Sequence, residues 1–432
     1  MSIEEVPPGY RKTDVGVIPE EWNLVLLPEV VIRGTDSIRI GPFGSSLKKE
    51  YLTKEGYKVF GQENVFTNDM VIGDRYIDTA LFRKLRSYEI LPEDFLISMM
   101  GTVGQCIVAP KGIEPGIMDS HLLRLRLNQE KILPKFLLQI FESWLILEQT
   151  KRLSVGGIME GLSSTIIRHI KIPLPPLPEQ RAIAAALSDA DALITSLDTL
   201  IEKKRAIKQA AMQQLLTGRT RLPGFSGEWR VTTLGEIVDI RNGATPSTQI
   251  PAYWNGQILW CTPTDITGTS GKYLLATERS ITVEGLENCA ASLLPVGALL
   301  LCTRATIGEI KIAASPVCTN QGFKSLVCKN GISNEFLYYL LLTLKPQMIE
   351  RAIGSTFLEI GKRDVASIKL RLPQHSEQHA IATVLSDMDA EIAALEQRLE
   401  KAQQIKQGMM QQLLTGKVRL VGPEHEGDAV RC

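Results

Sequence analysis

EQRAIAAALSDADALITSLDTLIEKKRAIKQAAMQQLLTGRTRL, residues 179–222, returns as EQHAIATVLSDMDAEIAALEQRLEKAQQIKQGMMQQLLTGKVRL, residues 377–420. The offset is constant at 198, and 26 of the 44 aligned positions are identical. A repeat this long, around a stretch that looks different, describes a chain of two similar halves. In the first copy apolar residues step by four and three through Ile183, Leu187, Ala190, Ile194, Leu197 and Ile201. The second copy does the same through Ile381, Leu385, Met388, Ile392, Leu395, Leu399 and Ala402. This is an a/d seam, which is buried only when another helix lies along it. The simplest partner for each helix is its own copy, packed antiparallel with pseudo-twofold symmetry. The alternative is that each helix packs only on its neighbouring domain. Further along, Lys204, Lys208 and Lys406 fall on seam positions, and Ile207 and Ile405 are expected to take over the apolar role.

Helix ends are marked on both copies. Pro173-Leu-Pro-Pro-Leu-Pro178 leads into the first and Leu372-Pro-Gln-His-Ser376 into the second, with Ser376 placed to cap. Both stop at Leu-Leu-Thr-Gly, where Gly218 and Gly416 can adopt the left-handed conformation that closes a C-terminus. Roughly 39 residues at about 1.5 Å rise give about 58 Å of helix. The Gln213-Gln214 and Gln411-Gln412 pairs and an alanine-rich outer face leave surface for a further protein.

Outside the repeats, residues 22–176 and 229–374 share a plan. Short apolar runs alternate with turn signals, and FLISMMGTVG (95–104) sits opposite LLLCTRATIG (299–308). Phe136-Leu-Leu matches Phe336-Leu-Tyr as a helix start. The expected class is α+β. The expected divisions are 1–176 and 219–374 for the globular domains, 177–218 and 375–418 for the helices, and 419–432 for a polar tail. In a twofold arrangement the chain end near Leu420 should return to its beginning.

The 432 residues carry a formal net charge of zero, which excludes a uniformly basic nucleic-acid coat but not local basic patches. The seven cysteines form no C-x-x-C pair, so no zinc ribbon or thioredoxin-like site is written, and reduced thiols in a cytoplasm are expected. The opening MSIEEVPPGYRKTDVG has no apolar core, so no signal peptide is expected. No apolar run approaches the roughly 18 residues of a membrane span.

The repeated EQ-x-A-I-A … L-S-D-x-D-A … M-Q-Q-L-L-T-G helix resembles the conserved regions of type I restriction–modification DNA specificity subunits. RIGPFGSSLKKEYLTKEGYKVFGQENV (39–65) resembles one opening of their target-recognition domains, and NGATPSTQIPAYWNGQILWCTPTDI (242–266) resembles another. The resemblance runs from Gly9 to about Leu420. It implies a non-catalytic chain in which each globular block reads one half of an asymmetric, bipartite site on double-stranded DNA. It also implies that the helices set the spacing and dock two methyltransferase subunits, and that two restriction subunits join. S-adenosylmethionine, ATP and magnesium would then sit on the partners, with no cofactor on this chain.

Phosphates attract Lys and Arg, and base edges are read by Arg, Lys, Asn, Gln, Ser and Thr. In the first block the leading DNA-contact candidates are Ser45, Ser46, Lys48 and Lys49 after a glycine-rich loop, then Arg83, Lys84 and Arg86. In the second they are Arg241, Thr245 and Ser247, then Thr264, then Thr303, Arg304 and Thr306, with Gln321 and Lys324. Thr102 matches Thr306, and Met100 matches Arg304, so the two loops would present different chemistry. Any one of these charges also reads as a solvated surface group.

His375 and His379 flank Glu377 but miss the H-E-x-x-H spacing, and their repeat partners are Leu177 and Arg181. G-T-S-G-K (268–272) lacks the P-loop spacing. A self-sufficient DNA methyltransferase or nuclease would need a cofactor loop or a carboxylate metal set, and neither is legible. A protein-binding coiled-coil scaffold is the remaining alternative, and it predicts no salt-dependent DNA affinity.

Overall fold

The two repeats are single helices, Leu177–Leu215 and His375–Leu413, of 39 residues each. They belong to a computed structural model that describes residues 6–34, 36–100, 104–153, 163–354 and 358–421. The chain divides into two compact units, residues 1–196 with 399–432, and residues 197–398. Each helix therefore gives one half to each unit.

In the first unit the start of the first helix and the end of the second share one core. Ile183, Ala184 and Leu187 are buried with Met410, Leu413 and Leu414 against Trp22, Phe95, Phe136 and Ile140. The second unit repeats this 198 residues on, with Ile381, Ala382 and Leu385 buried beside Met212, Leu215 and Leu216. Opposite ends of the two helices meet in each unit, so the pairing is antiparallel. Each fully buried Leu or Ile side chain contributes about 1.5–3 kcal/mol. The helices thus pack on each other and on the globular block together, rather than on one alone.

Where lysines interrupt the seam, carboxylates of the opposite helix meet them. In the first unit Lys406 pairs with Asp191 of the opposite helix at 2.5 Å and with Glu142 of the globular block at 2.9 Å. In the second, Lys208 pairs with Asp389, Lys204 with Glu391 at 2.6 Å, and Arg205 with Glu396 at 2.7 Å. Burial opposes the Lys406 charge, but Asp191 and Glu142 outweigh it and raise its pKa. This corrects the expectation for Ile207 and Ile405, which are 45% and 51% exposed. The seam keeps its phase and fills the lysine positions with ion pairs. Leu197, Ile201, Ile392 and Leu395 are buried, whereas Ala190, Ile194, Met388 and Leu399 are half-buried.

The repeated Glu-Gln pair has a structural reason. Gln180 donates to the Pro175 carbonyl at 2.8 Å and accepts from Leu133 N at 2.9 Å, tying the helix start to the domain. Gln378 does the same with the Pro373 carbonyl at 3.0 Å and Ser333 N at 2.9 Å. Glu179 accepts from Trp22 Nε1 at 3.0 Å and pairs with Arg419; Glu377 pairs with Arg221 at 2.5 Å. Tyr10 donates to the Gly416 carbonyl at 2.8 Å, so within the first unit the chain end does return to its beginning. Gly218 and Gly416 have φ of +72° and +67° and close both helices as expected. The second helix begins at His375, so Ser376 lies inside its first turn rather than capping it.

Each unit carries the same mixed α and β block. In the first, the main sheet runs Ile38–Ile40, Leu122–Leu125, Phe95–Ser98 and Cys106–Val108, all antiparallel. A smaller sheet runs Tyr76–Ile77, Tyr57–Phe60 and Gly116–Met118, the last pair parallel. In the second, the main sheet runs Val238–Asn242, Phe323–Cys328, Leu299–Cys302 and Ile310–Ala313, with Tyr273–Leu274 added at its edge. Its smaller sheet runs Arg279–Ile281, Trp254–Cys261 and Val317–Thr319. Among the described residues no helix is long and apolar enough to cross a membrane.

Candidate nucleic-acid interface

In the second block several strands stop at one end. The strands finishing at Asn242, Cys261, Cys302 and Thr319 lead there into loops that bond to one another. Ala244 N donates to the Thr319 carbonyl at 2.9 Å, Asn320 N to Cys261 at 3.0 Å, and Thr303 N to Gly322 at 2.8 Å. Gly243 permits this: a Cβ there would lie 2.0 Å from the Asn320 carbonyl oxygen. Trp260 Nε1 donates to the Ala244 carbonyl and Trp254 Nε1 to that of Ser247, each at 3.0 Å, so the loop is held at both ends.

This loop cluster gathers most of the sequence candidates. Thr245 donates its hydroxyl to Gln321 Oε1 at 2.7 Å, which joins two candidates 76 positions apart. Arg241, Ser247, Thr264 and Arg304 are exposed, and Thr306 is half-buried. Thr264 lies in the first turn of the short helix Pro263–Gly268, whose capping Thr262 N–H and hydroxyl both donate to Asp265 Oδ2 at 2.7 Å. Arg304, Ala305 and Thr306 form a tight turn, with Thr306 N donating to the Arg304 carbonyl at 2.8 Å and Ala305 at φ +62°. A non-glycine residue there is strained, and such strain persists where the surroundings hold it. Here an isolated bridge joins Arg304 to Glu359, and Ile360 N donates to the Thr303 carbonyl at 2.9 Å.

Two candidates do not reach the surface. Thr303 is fully buried and donates to the Gly322 carbonyl at 3.2 Å. Lys324 is buried, with Nζ 3.6 Å from Glu359. Both brace the loop cluster from below.

The first block repeats the arrangement with other side chains. Gly41 N donates to the Leu122 carbonyl at 3.0 Å, and a Cβ at Gly41 would lie 1.8 Å from the Asp119 carbonyl oxygen. Asp119 N donates to Phe60 at 2.8 Å, and Met99 N to His121 at 2.9 Å. The turn Gly44–Ser46 follows the glycine loop; Ser46, Lys48 and Lys49 are exposed, and the Ser45 side chain lies outside the described residues. Lys48 pairs with Glu50 at 3.2 Å. Arg83 and Lys84 end the helix Thr79–Lys84, and Arg86 stands 3.7 Å from Glu89; all three are exposed. Leu47 and Leu52, beside the lysines, pack on the same apolar cluster as Leu85, so both basic stretches rest on one support. Thr102 lies outside the described residues, and Met100 is exposed.

Two arginines at this end were passed over in the sequence, Arg75 and Arg279. The usable signal was R-x-I in both halves, with Ile77 and Ile281 fully buried. Burial pushes the Cys302 and Cys318 thiols up to about 12, which suppresses the reactive thiolate. Among the described residues no group of three or more His, Cys, Asp or Glu is arranged to hold a metal.

The model of the type I restriction modification DNA specificity domain matches twice, at residues 40–208 and 226–407. The chain is 27% identical over 432 residues to the type I restriction enzyme MjaVIII specificity subunit of Methanocaldococcus jannaschii, covering 93% of this chain and 94% of that one. It is 38% identical over 164 residues to the MjaIX specificity subunit of the same organism, covering 38% of each. In fold it resembles the type I restriction-modification S subunit of M. genitalium, with a TM-score of 0.56, 17% identity and coverage of 91% of this chain and 96% of that one. With two matched copies of that domain filling most of its length, the chain belongs to the type I restriction modification DNA specificity family.

Proposed function

We infer that this chain is the DNA sequence-specificity subunit of a type I restriction–modification complex, and that it recognises DNA without itself cutting or methylating it. Each globular block reads one half of an asymmetric bipartite site. One observation carries this reading: the same loop cluster is built twice on the same sheet plan but fitted with different side chains. Arg304 stands where Met100 stands, and the Thr245–Gln321 pair stands where the first block has its Gly41 loop and Ser120. Identical readers would suit a palindrome, and unlike readers suit an asymmetric sequence.

The two helices are the spacer and the docking surface for two methyltransferase subunits, with two restriction subunits joining the full complex. Leu200, Ile207 and Ile405 are exposed on helices whose seam is otherwise filled, which supports a protein partner there. S-adenosylmethionine, ATP and magnesium belong to those partners. The test is DNA binding by the reconstituted chain and methyltransferase across a salt series. The reading expects affinity that falls steeply with salt and favours one duplex sequence, since phosphate contacts release counterions. Salt-independent or undetectable DNA binding would leave a protein scaffold, and methyl transfer by the chain alone would make it an enzyme.

A further inference from the structure

Arg75 and Arg279 hold the same place in the two blocks. In the first small sheet Val59 N donates to the Arg75 carbonyl at 2.8 Å, and Val59 lies in register with Ile117 on its other side. In the second, Trp260 lies in register with Arg279 on one side and Cys318 on the other. Sheet register therefore brings a guanidinium to the loop end of each block, although the neighbouring sequences have little in common beyond R-x-I.

Their surroundings divide them. Arg75 donates from Nη1 and Nη2 to Asp119 Oδ2, each at 3.1 Å, and from Nη2 to Glu63 Oε1 at 2.5 Å. Its side chain keeps 32% of its surface exposed. Gly61 makes room for this clamp, since a Cβ there would lie 2.2 Å from Arg75 Nη2 and 2.7 Å from Asp119 Oδ2. Two carboxylates around one guanidinium leave a cluster of net negative formal charge. Such a cluster attracts phosphate poorly, yet it fixes the guanidinium plane, with Nη1 and Nη2 committed to the carboxylates and Nε–H and one Nη1–H left over. A single N–H held at a fixed angle can donate to guanine O6 or N7, the acceptors of its major-groove edge.

Arg279 is exposed, and among the described residues no hydrogen bond or ion pair engages its guanidinium. Its guanidinium carbon stands 3.7 Å from the Trp254 ring centroid and 5.2 Å from that of Trp260. The two indoles meet edge to face at 5.0 Å, and their N–H groups hold the Ala244–Ser247 loop. Stacking orders the arginine without neutralising it, so its full charge remains for phosphate.

We propose that these matched arginines are DNA contacts with separate tasks: Arg75, clamped by Glu63 and Asp119, reads a guanine edge in one half-site, and Arg279, stacked on Trp254 and Trp260, grips a backbone phosphate beside the other. The assignment rests on the DNA-reading function above and adds to it which side chains select sequence and which supply affinity.

The test uses the chain assembled with its methyltransferase subunits and a duplex library with randomised positions. Arg75→Lys keeps the charge and loses the planar group that the two carboxylates hold in place. It should erase the preference for guanine at one position of one half-site and weaken binding to the best wild-type duplex by about 3- to 10-fold, as for the loss of one hydrogen bond. The salt slope should stay the same. Arg279→Ala should keep every base preference, weaken binding to all duplexes alike and lower the salt slope by about one. Glu63→Gln is the control if Arg75→Lys assembles poorly: freeing Arg75 from one carboxylate should blur the same guanine position and steepen the salt dependence. Wild-type preference at every position in Arg75→Lys, or in Glu63→Gln where that is the variant measured, overturns the role of Arg75. A wild-type salt slope in Arg279→Ala overturns the role of Arg279. If the wild-type complex selects no sequence at all, the DNA-reading function itself fails, which is a separate result.

Discussion

Replacing Arg419 with alanine strands a buried carboxylate. Glu179 is only 2% exposed, accepts from Trp22 Nε1 at 3.0 Å and pairs through both oxygens with Arg419, whose Nη2 is at 2.7 Å. The pair raises the Arg419 pKa, mainly through the hydrogen bonds to Glu179 and against a smaller burial penalty. Breaking a buried ion pair from one side costs about 3–5 kcal/mol. Two features reduce that here: the Trp22 donation survives, and Arg419 is 24% exposed, so water can enter the space it leaves. The expected loss is therefore roughly 2–3 kcal/mol, or about 5–10 °C in the melting of a body of this size. Glu179→Gln should cost less, about 1 kcal/mol, because Arg419 can turn to water and to Glu21, its other partner. The double variant should recover part of the loss, giving a coupling of about 1–2 kcal/mol. Scanning calorimetry of the four proteins measures this. A loss below about 0.5 kcal/mol for Arg419→Ala would place the pair with exposed ones and rule out a stranded buried carboxylate. A larger loss for Glu179→Gln than for Arg419→Ala would rule it out as well.

Leu187→Ala and Leu385→Ala occupy equivalent, fully buried places, so each should cost about 2–5 kcal/mol and the two should agree closely in denaturant melts. Ile207→Ser and Ile405→Ser should change stability by less than about 0.5 kcal/mol, because both side chains already meet solvent. Ala305→Gly should stabilise the second unit by up to about 1 kcal/mol by relieving its φ of +62°, and Ala305→Val should destabilise it; equal melting of all three would remove the claim of strain. A circular permutant joined from about Leu420 to Tyr10 and opened within Leu222–Gly227 should fold with native helicity, since Tyr10, Glu21 and Arg419 already meet around Gly416 and Glu179. Loss of helicity by circular dichroism would show that the present connection is required.

The helices were legible because their signal is periodic and is written twice. What the period could not show was how Lys208 and Lys406 would be accommodated. Each meets an aspartate, Asp389 or Asp191, that becomes its neighbour only once the opposite helix is in place. Ile207 and Ile405 then face outward, although lysines on the seam positions suggested that the apolar stripe would pass to them. The loop cluster was partly legible through glycine-rich turns and polar residues at apolar run ends, which located Thr245, Ser247, Arg304 and Gln321. Thr303 and Lys324 misled because exposure near a strand end depends on bracing by a distant segment, here Gly322 and Glu359. Arg75 and Arg279 were missed because strands of two and three residues carry too little alternation to reveal a matched register.

In the proposed function two unlike blocks read two halves of one DNA site. Its most direct test is to map methylated bases in DNA treated with the chain and its methyltransferase subunits, and then to repeat the map after replacing residues 219–374 with the corresponding block of another family member. One asymmetric motif in two specified parts around an unspecified spacer is expected, with only one part changing on replacement. A single contiguous or palindromic motif, or a change in both parts together, would contradict it.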